Sequence, residues 1–229
     1  MSFKKLLTKI GYDRHWDQIA PLVKSDIEFF VSSTNSHSLF LNSVSYMEHL
    51  GSRMILLSQP QSELSKFQLE HLFEEARHGY FFRGIAEKIA RHNLDYSSES
   101  MLAKSACSFY LRRLEAQVCK KLKVKRGELP YLYVTAAIEI RADLLYQLWQ
   151  KIIDDRRLSY SLKPILLEEA SHLSQMTARI SELDSNWEAH LFEILKSEMN
   201  TFERFWHALR TLPEVLRTSS SVPLYQARL

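Results

Sequence analysis

Apolar residues recur three and four positions apart along most of the chain, and polar turn signals interrupt that rhythm at only a few places. The pattern predicts about seven helical stretches. Residues 2–9 and 13–32 form an N-terminal arm ending in the polar run SSTNSHS, and a helix follows over residues 38–57. The run SQPQSE reads as a stop, a turn and a new cap, so the next helix spans residues 62–91. After HNLDYSSES, a helix over residues 98–122 leads into the basic segment KKLKVKRGE. Gly127 and Pro130 mark a restart, with Pro130 suited to a first turn, and that helix continues to residue 154. The polar turn DDRRLSYS and Pro164 introduce a helix over 162–183. Asp184 and Ser185 cap a last one over 187–212, which Pro213 helps to end. Residues 1–217 are expected to form a single helical domain with its core between 38 and 183, and residues 218–229 a flexible Ser-rich tail or contact arm.

Composition agrees with long helices. The chain is 45% hydrophobic and 25% charged, as expected of one soluble domain with a sizeable core. Five glycines and six prolines are too few for an all-β fold or for Gly-rich nucleotide loops. A net charge of +3 is too mild for a dedicated nucleic-acid binder. The start lacks the apolar stretch of a signal peptide and no later run suits a bilayer, so the expectation is a cytoplasmic protein without a membrane span. Cys107 and Cys119 are the only cysteines, which excludes a disulfide framework and any site of four thiolates. A metal would have to be held by oxygen and nitrogen.

Two segments, LFEEARHGYFF and LLEEASHLSQM, share the pattern Glu-Glu-Ala-x-His. Each offers a Glu-x-x-His pair, Glu75 with His78 and Glu169 with His172. Residues three apart share a helix face roughly 5 Å apart, so carboxylate and imidazole can grip one ion. One such pair arises readily by chance; the context strengthens the doubled motif. A single glutamate, Glu48, stands in the mostly apolar stretch 38–57, and another, Glu139, lies within VTAAIEIRADLLYQLW. These precede their Glu-x-x-His pairs by 27 and 30 residues, which suits antiparallel helices joined by a short turn. The stretch 98–122, roughly 37 Å long as a helix, can carry the chain back between the two halves. Four buried carboxylates cannot all stay ionised alone, whereas two divalent cations bring four Glu and two neutral His to zero charge. The oxygen and nitrogen set suits iron or manganese better than magnesium or a structural zinc.

The order Glu48, Glu75, His78, Glu139, Glu169, His172 resembles the ferritin-like di-iron carboxylate superfamily over residues 38–183. Length and spacing are most similar to its smaller members, the aldehyde-deformylating oxygenases, demethoxyubiquinone hydroxylases and tRNA-modifying hydroxylase, without matching one of them closely. The resemblance implies an all-α, ferritin-like four-helix bundle with a long helix-containing crossover, to which the N-terminal arm and an extra C-terminal helix are added. It also implies two irons, with Mn or mixed Mn/Fe as alternatives, that react with dioxygen or peroxide. Glu75 and Glu169 would be bridging or flexible carboxylates, Glu48 and Glu139 terminal ligands, and one histidine would sit on each iron.

Several neighbours have both a plain and a sharper reading. Glu74 and Glu168 lie about 100° round the helix from the expected ligands, as solvated groups, supports or substitutes for them. His71, one turn before Glu75, is a packed histidine, an extra ligand or a hydrogen-bond partner. Asp143, one turn after Glu139, is either an ordinary polar position or the acceptor for the free N–H of a ligand histidine. Tyr146 returns to the Glu139 face as a core tyrosine or as a relay for an electron or hydrogen bond. Gly51, Ser52, Gly79, Thr135, Ala136 and Ala142 leave room for a substrate or for close helix contact. The segment Lys120, Lys121, Lys123, Lys125 and Arg126 is by default a solvated helix end, and otherwise suits a ferredoxin, an acidic carrier protein or RNA phosphate. Trp187, Phe202, Phe205, Trp206 and His207 read as packing against the bundle or against a second subunit of a homodimer.

The resulting functional expectation is a di-iron oxidase or oxygenase acting on dioxygen and a small, partly apolar or lipid-like substrate. Without a flavin or nicotinamide fingerprint, electrons would come from an external donor such as a ferredoxin or reductase. The alternatives are a ferritin-like peroxidase or iron-handling protein, and a metal-free helical interaction protein.

Overall fold

The computed structural model describes residues 7–8, 11–58 and 64–219, with side chains to residue 211. Seven long helices form the fold, and there is no strand among the described residues. They are α1 (Tyr12–Phe30), α2 (Thr34–Ser58), α3 (Lys66–Ala90), α4 (Lys104–Leu122), α5 (Glu128–Arg156), α6 (Lys163–Leu183) and α7 (Trp187–Ser219). None among the described residues is long and apolar enough to cross a membrane. Most of the expected helix over residues 2–9 and most of the 218–229 tail lie outside the described residues.

The helix ends differ from expectation where side chains compete for the backbone. The SSTNSHS run does not stand apart as a turn: Ser33 Oγ accepts the Ser36 N–H at 3.2 Å, and α2 already begins at Thr34. The α3 start falls at Ser65, whose hydroxyl accepts the Gln68 N–H while the Gln68 side chain accepts the Ser65 N–H, a reciprocal capping box. Residues 98–103 are not helical. Asp95 Oδ1 accepts the Ser97 N–H, and Asn42 Nδ2 of α2 donates to the Asp95 and Ser100 carbonyls, both at 2.8 Å, so this connection is tied both to itself and to α2. Pro213 does not end the last helix, which continues to Ser219, just as α1 continues through Pro21. A proline removes one hydrogen bond from a helix without removing the packing that holds it.

α2 packs along α3 and α5 along α6, while α4 lies against α7 and α1 against α5 and α7. Two apolar clusters fill the interior. One joins Phe30, Phe40, Phe82, Trp149 and Trp206; the other joins Ile55, Val134, Met176, Ile180 and Leu195. On α2, α5 and α6 the chain passes from one cluster to the other through an acidic residue, Glu48 between Val44 and Ile55, Glu139 between Val134 and Tyr146, and Glu169 between Ile165 and Met176. The acidic residues therefore lie at the junction of two dry regions. The aromatic residues Phe202, Phe205 and Trp206 of α7 are buried against the first cluster, whereas His207 faces solvent.

Candidate metal centre

Four helices contribute to one interior group: Glu48 from α2, Glu75 and His78 from α3, Glu139 from α5, and Glu169 and His172 from α6. Their donor atoms form overlapping triads, each within 4.8 Å: Glu48, Glu75 and His78; His71, Glu139 and His172; and Glu75, Glu139 and Glu169. The third shares Glu75 with the first and Glu139 with the second, so the donors form two adjoining sites. The Glu169 carboxylate spans them, with Oε1 3.2 Å from His78 Nδ1 and Oε2 3.3 Å from His172 Nδ1. His71 belongs to the group. Its Nε2 is 3.1 Å from Glu75 Oε1 and 3.3 Å from Glu139 Oε1, its Nδ1 is 2.6 Å from the Tyr131 hydroxyl, and its ring lies 4.6 Å from that of His172.

The histidines are oriented from outside by a reciprocal arrangement. His78 Nε2 lies 2.8 Å from Glu168 of α6, and His172 Nε2 lies 2.5 Å from Glu74 of α3. The first glutamate of each Glu-Glu-Ala-x-His motif thus serves the histidine of the other. Arg77 holds Glu168 in turn. This was the role open to Asp143, which instead accepts the Gln147 amide at 2.8 and 2.9 Å. The sequence signal for the true partners was the doubled glutamate itself. With Nε2 committed to a carboxylate, each Nδ1 turns inward. His78 Nδ1 is buried facing Glu169 Oε1 at 3.2 Å, out of hydrogen-bond alignment, a position that a cation between the two would satisfy.

The charged groups of the cluster perturb one another strongly. Burial, then the Glu75 charge, raises the Glu48 carboxyl well above the usual range; burial, then Glu169, does the same to Glu139. Burial also opposes ionisation of Glu169, yet its contacts with Glu139, His172 and His78 outweigh it and hold that carboxyl low. His78 is pushed up to about 10, because its contacts with Glu169, Glu48 and Glu168 outweigh burial; His172 is raised in the same way by Glu169 and Glu74. Without cations, protons are shared among the carboxylates and imidazoles. All-oxygen and nitrogen donors, four carboxylates and inward Nδ1 atoms fit a pair of divalent iron or manganese ions.

Glu48 is half-buried as a residue, but its carboxylate points inward and accepts the hydrogen of the buried Tyr146 hydroxyl. Two of the small residues have separate reasons. At Gly79, a Cβ would sit 3.3 Å from the Ser45 carbonyl oxygen, so α3 needs the glycine to approach α2. At Gly51, a Cβ would come within 2.6 Å of Glu75 Oε2, so the glycine makes room for a candidate ligand. A cavity of ≈ 90 Å³ adjoins the site between α2, α4, α5 and α7. Glu48, Glu75, Glu139 and Glu169 line one end, and the rest of the wall is mostly apolar, with Val44, Leu111, Ala142 and Leu145 among it. The basic segment is distant from this chemistry. Its cations are exposed at the end of α4, where Arg126 pairs with Glu115 and Lys121 with Glu193.

Comparisons with protein-family models, with curated proteins and with solved structures find no match to this chain. The class of site defined by its own residues is a buried, carboxylate-rich His/Glu cluster able to hold metal.

Proposed function

We propose that the chain is a non-haem di-iron oxidoreductase of ferritin-like four-helix architecture, which uses dioxygen to oxidise a slender, largely apolar substrate. The observation that carries this reading is the apolar cavity ending on Glu48, Glu75, Glu139 and Glu169. A filled core would favour peroxide or iron chemistry without an organic substrate. The cavity also bounds the substrate. At ≈ 90 Å³ it is smaller than the ~150 Å³ hole that holds benzene, so the buried portion is thin unless side chains give way.

Glu48, Glu75, His78, Glu139, Glu169 and His172 would hold two ions, with His71 as an additional nitrogen donor on the Glu139 side. Two ferrous ions would supply the electrons for dioxygen reduction and the oxidising power directed at the substrate. The residues of the chain supply geometry. Glu74 and Glu168 fix the imidazole planes, Tyr146 anchors Glu48, and the apolar wall keeps bulk water from the reacting end. Electrons for repeated turnover come from a separate donor.

Stopped-flow mixing of ferrous-loaded protein with dioxygen tests this reading. Iron oxidation within seconds is expected, and with a reductant present a cavity ligand should change the rate of oxygen uptake. Iron bound in the cluster but inert to dioxygen would overturn it.

A further inference from the structure

The same cavity reaches a second polar group, far round α5 from the carboxylates. Arg141 of α5 pairs in bidentate fashion with Glu198 of α7, Nε to Oε1 at 3.0 Å and Nη2 to Oε2 at 2.8 Å. The hydroxyls of Tyr12 and Tyr110 donate to the same carboxylate at 2.7 and 2.8 Å. Glu198 therefore accepts four hydrogen bonds, the capacity of a carboxylate. The guanidinium is not satisfied in the same way. Arg141 is 3% exposed, and its Nη1 is buried with no acceptor among the described residues. Aromatic rings cover the group, Phe202 at 4.2 Å and Tyr12 at 4.7 Å, and they fix its plane without supplying an oxygen.

Arg141 lines the cavity together with Leu145, Ile138, Ala142, Tyr146 and Glu139. At about 100° per residue, these positions follow one another round α5 in that order. The cavity thus wraps one side of the helix, from the guanidinium across an apolar strip to the Glu139 carboxylate.

We infer that the cavity is a two-ended substrate site, in which Arg141 Nη1 binds an uncharged oxygen of the substrate, a hydroxyl or carbonyl, and the apolar remainder runs to the carboxylate end. This deepens the oxidoreductase reading and rests on it for the word substrate. The charge state follows from the pair itself. Arg141 and Glu198 already neutralise each other, so a ligand carboxylate would bring an uncompensated negative charge into a dry wall. A neutral acceptor supplies the missing bond and no charge.

Metal-free protein titrated with butan-1-ol, pentane and butanoate, followed by calorimetry and by tryptophan fluorescence, Trp206 being on the cavity wall, tests the inference. Butan-1-ol is expected to bind roughly ten-fold tighter than pentane or butanoate, the gain of one charge-assisted hydrogen bond. Ala142→Leu, which fills the strip without touching the ion pair, should weaken butan-1-ol and pentane alike. The double variant Arg141→Met, Glu198→Met should keep pentane binding and lose the preference for the alcohol; if it does not fold, the ratio of alcohol to alkane affinity in the parent protein still decides. Equal binding of alcohol and alkane, tightest binding by butanoate, no binding of any probe, or indifference to Ala142→Leu would each overturn the inference. Iron has no part in these titrations. Failure of iron loading with selectivity intact would therefore count against the oxidoreductase reading alone.

Discussion

His78 and His172 each present one nitrogen to the interior and give the other to a glutamate on the opposite motif helix. Removing that partner should loosen the ring without removing the ligand. Glu74→Gln and Glu168→Gln are each expected to weaken iron binding ~10–100-fold with the fold retained, whereas Asp143→Asn should leave it unchanged, as read by competitive chelator titration. At this scale the sequence was legible for which six residues come together, because residue type and a spacing of three are local properties. It was not decisive for their supports, because His78 and Glu168 are 90 residues apart and which carboxylate meets an imidazole depends on helix packing. A second residue makes a separate prediction. His37 is buried beside the Tyr160 hydroxyl, and burial lowers it from its ordinary 6.5 to about 4. Between those values the unfolded chain binds a proton that the folded chain refuses. Stability is therefore lost as pH falls through that window and the loss stops below it. In melts across the window, His37→Gln should show a shallower decline than the parent protein; an identical decline would contradict the assignment.

Among the elements, α2 and α3 depend on two glycines in opposite ways. Gly79 permits close approach of the helices, while Gly51 leaves space for the Glu75 carboxylate. Gly51→Ala should help α2 as a helix by up to ~1 kcal/mol yet displace Glu75. The expected outcome is a melting temperature equal to or above that of the parent, measured without metal, together with weaker iron binding. Unaltered iron affinity would show that Glu75 is not a ligand. The centres of the helices were readable from apolar periodicity, and their ends less so. The sequence pattern starts this helix at residue 98, whereas α4 begins at Lys104, and the Asp95 and Ser100 carbonyls before it are engaged by Asn42 from α2, more than fifty positions away. At α7 the proline suggested an end, yet the helix continues to Ser219, as α1 continues through Pro21.

Across the whole molecule, the candidate site lies where two apolar clusters meet, and a cavity joins it to the Arg141–Glu198 pair. That pair had no sequence signature, because its members lie 57 residues apart in helices that read as ordinary amphipathic segments. The doubled Glu-x-x-His motif was visible because it repeats; the Arg141 end of the cavity was not, because it is made by contact between α1, α4, α5 and α7. The central claim is that the cluster holds two metal ions at once. Anaerobic ferrous titration with Mössbauer spectroscopy tests this most directly. The expected result is two high-spin ferrous ions per chain with oxygen and nitrogen ligands, lost together in His172→Ala. A folded protein that binds no stoichiometric iron or manganese, or one whose His172→Ala variant keeps both ions, would contradict it.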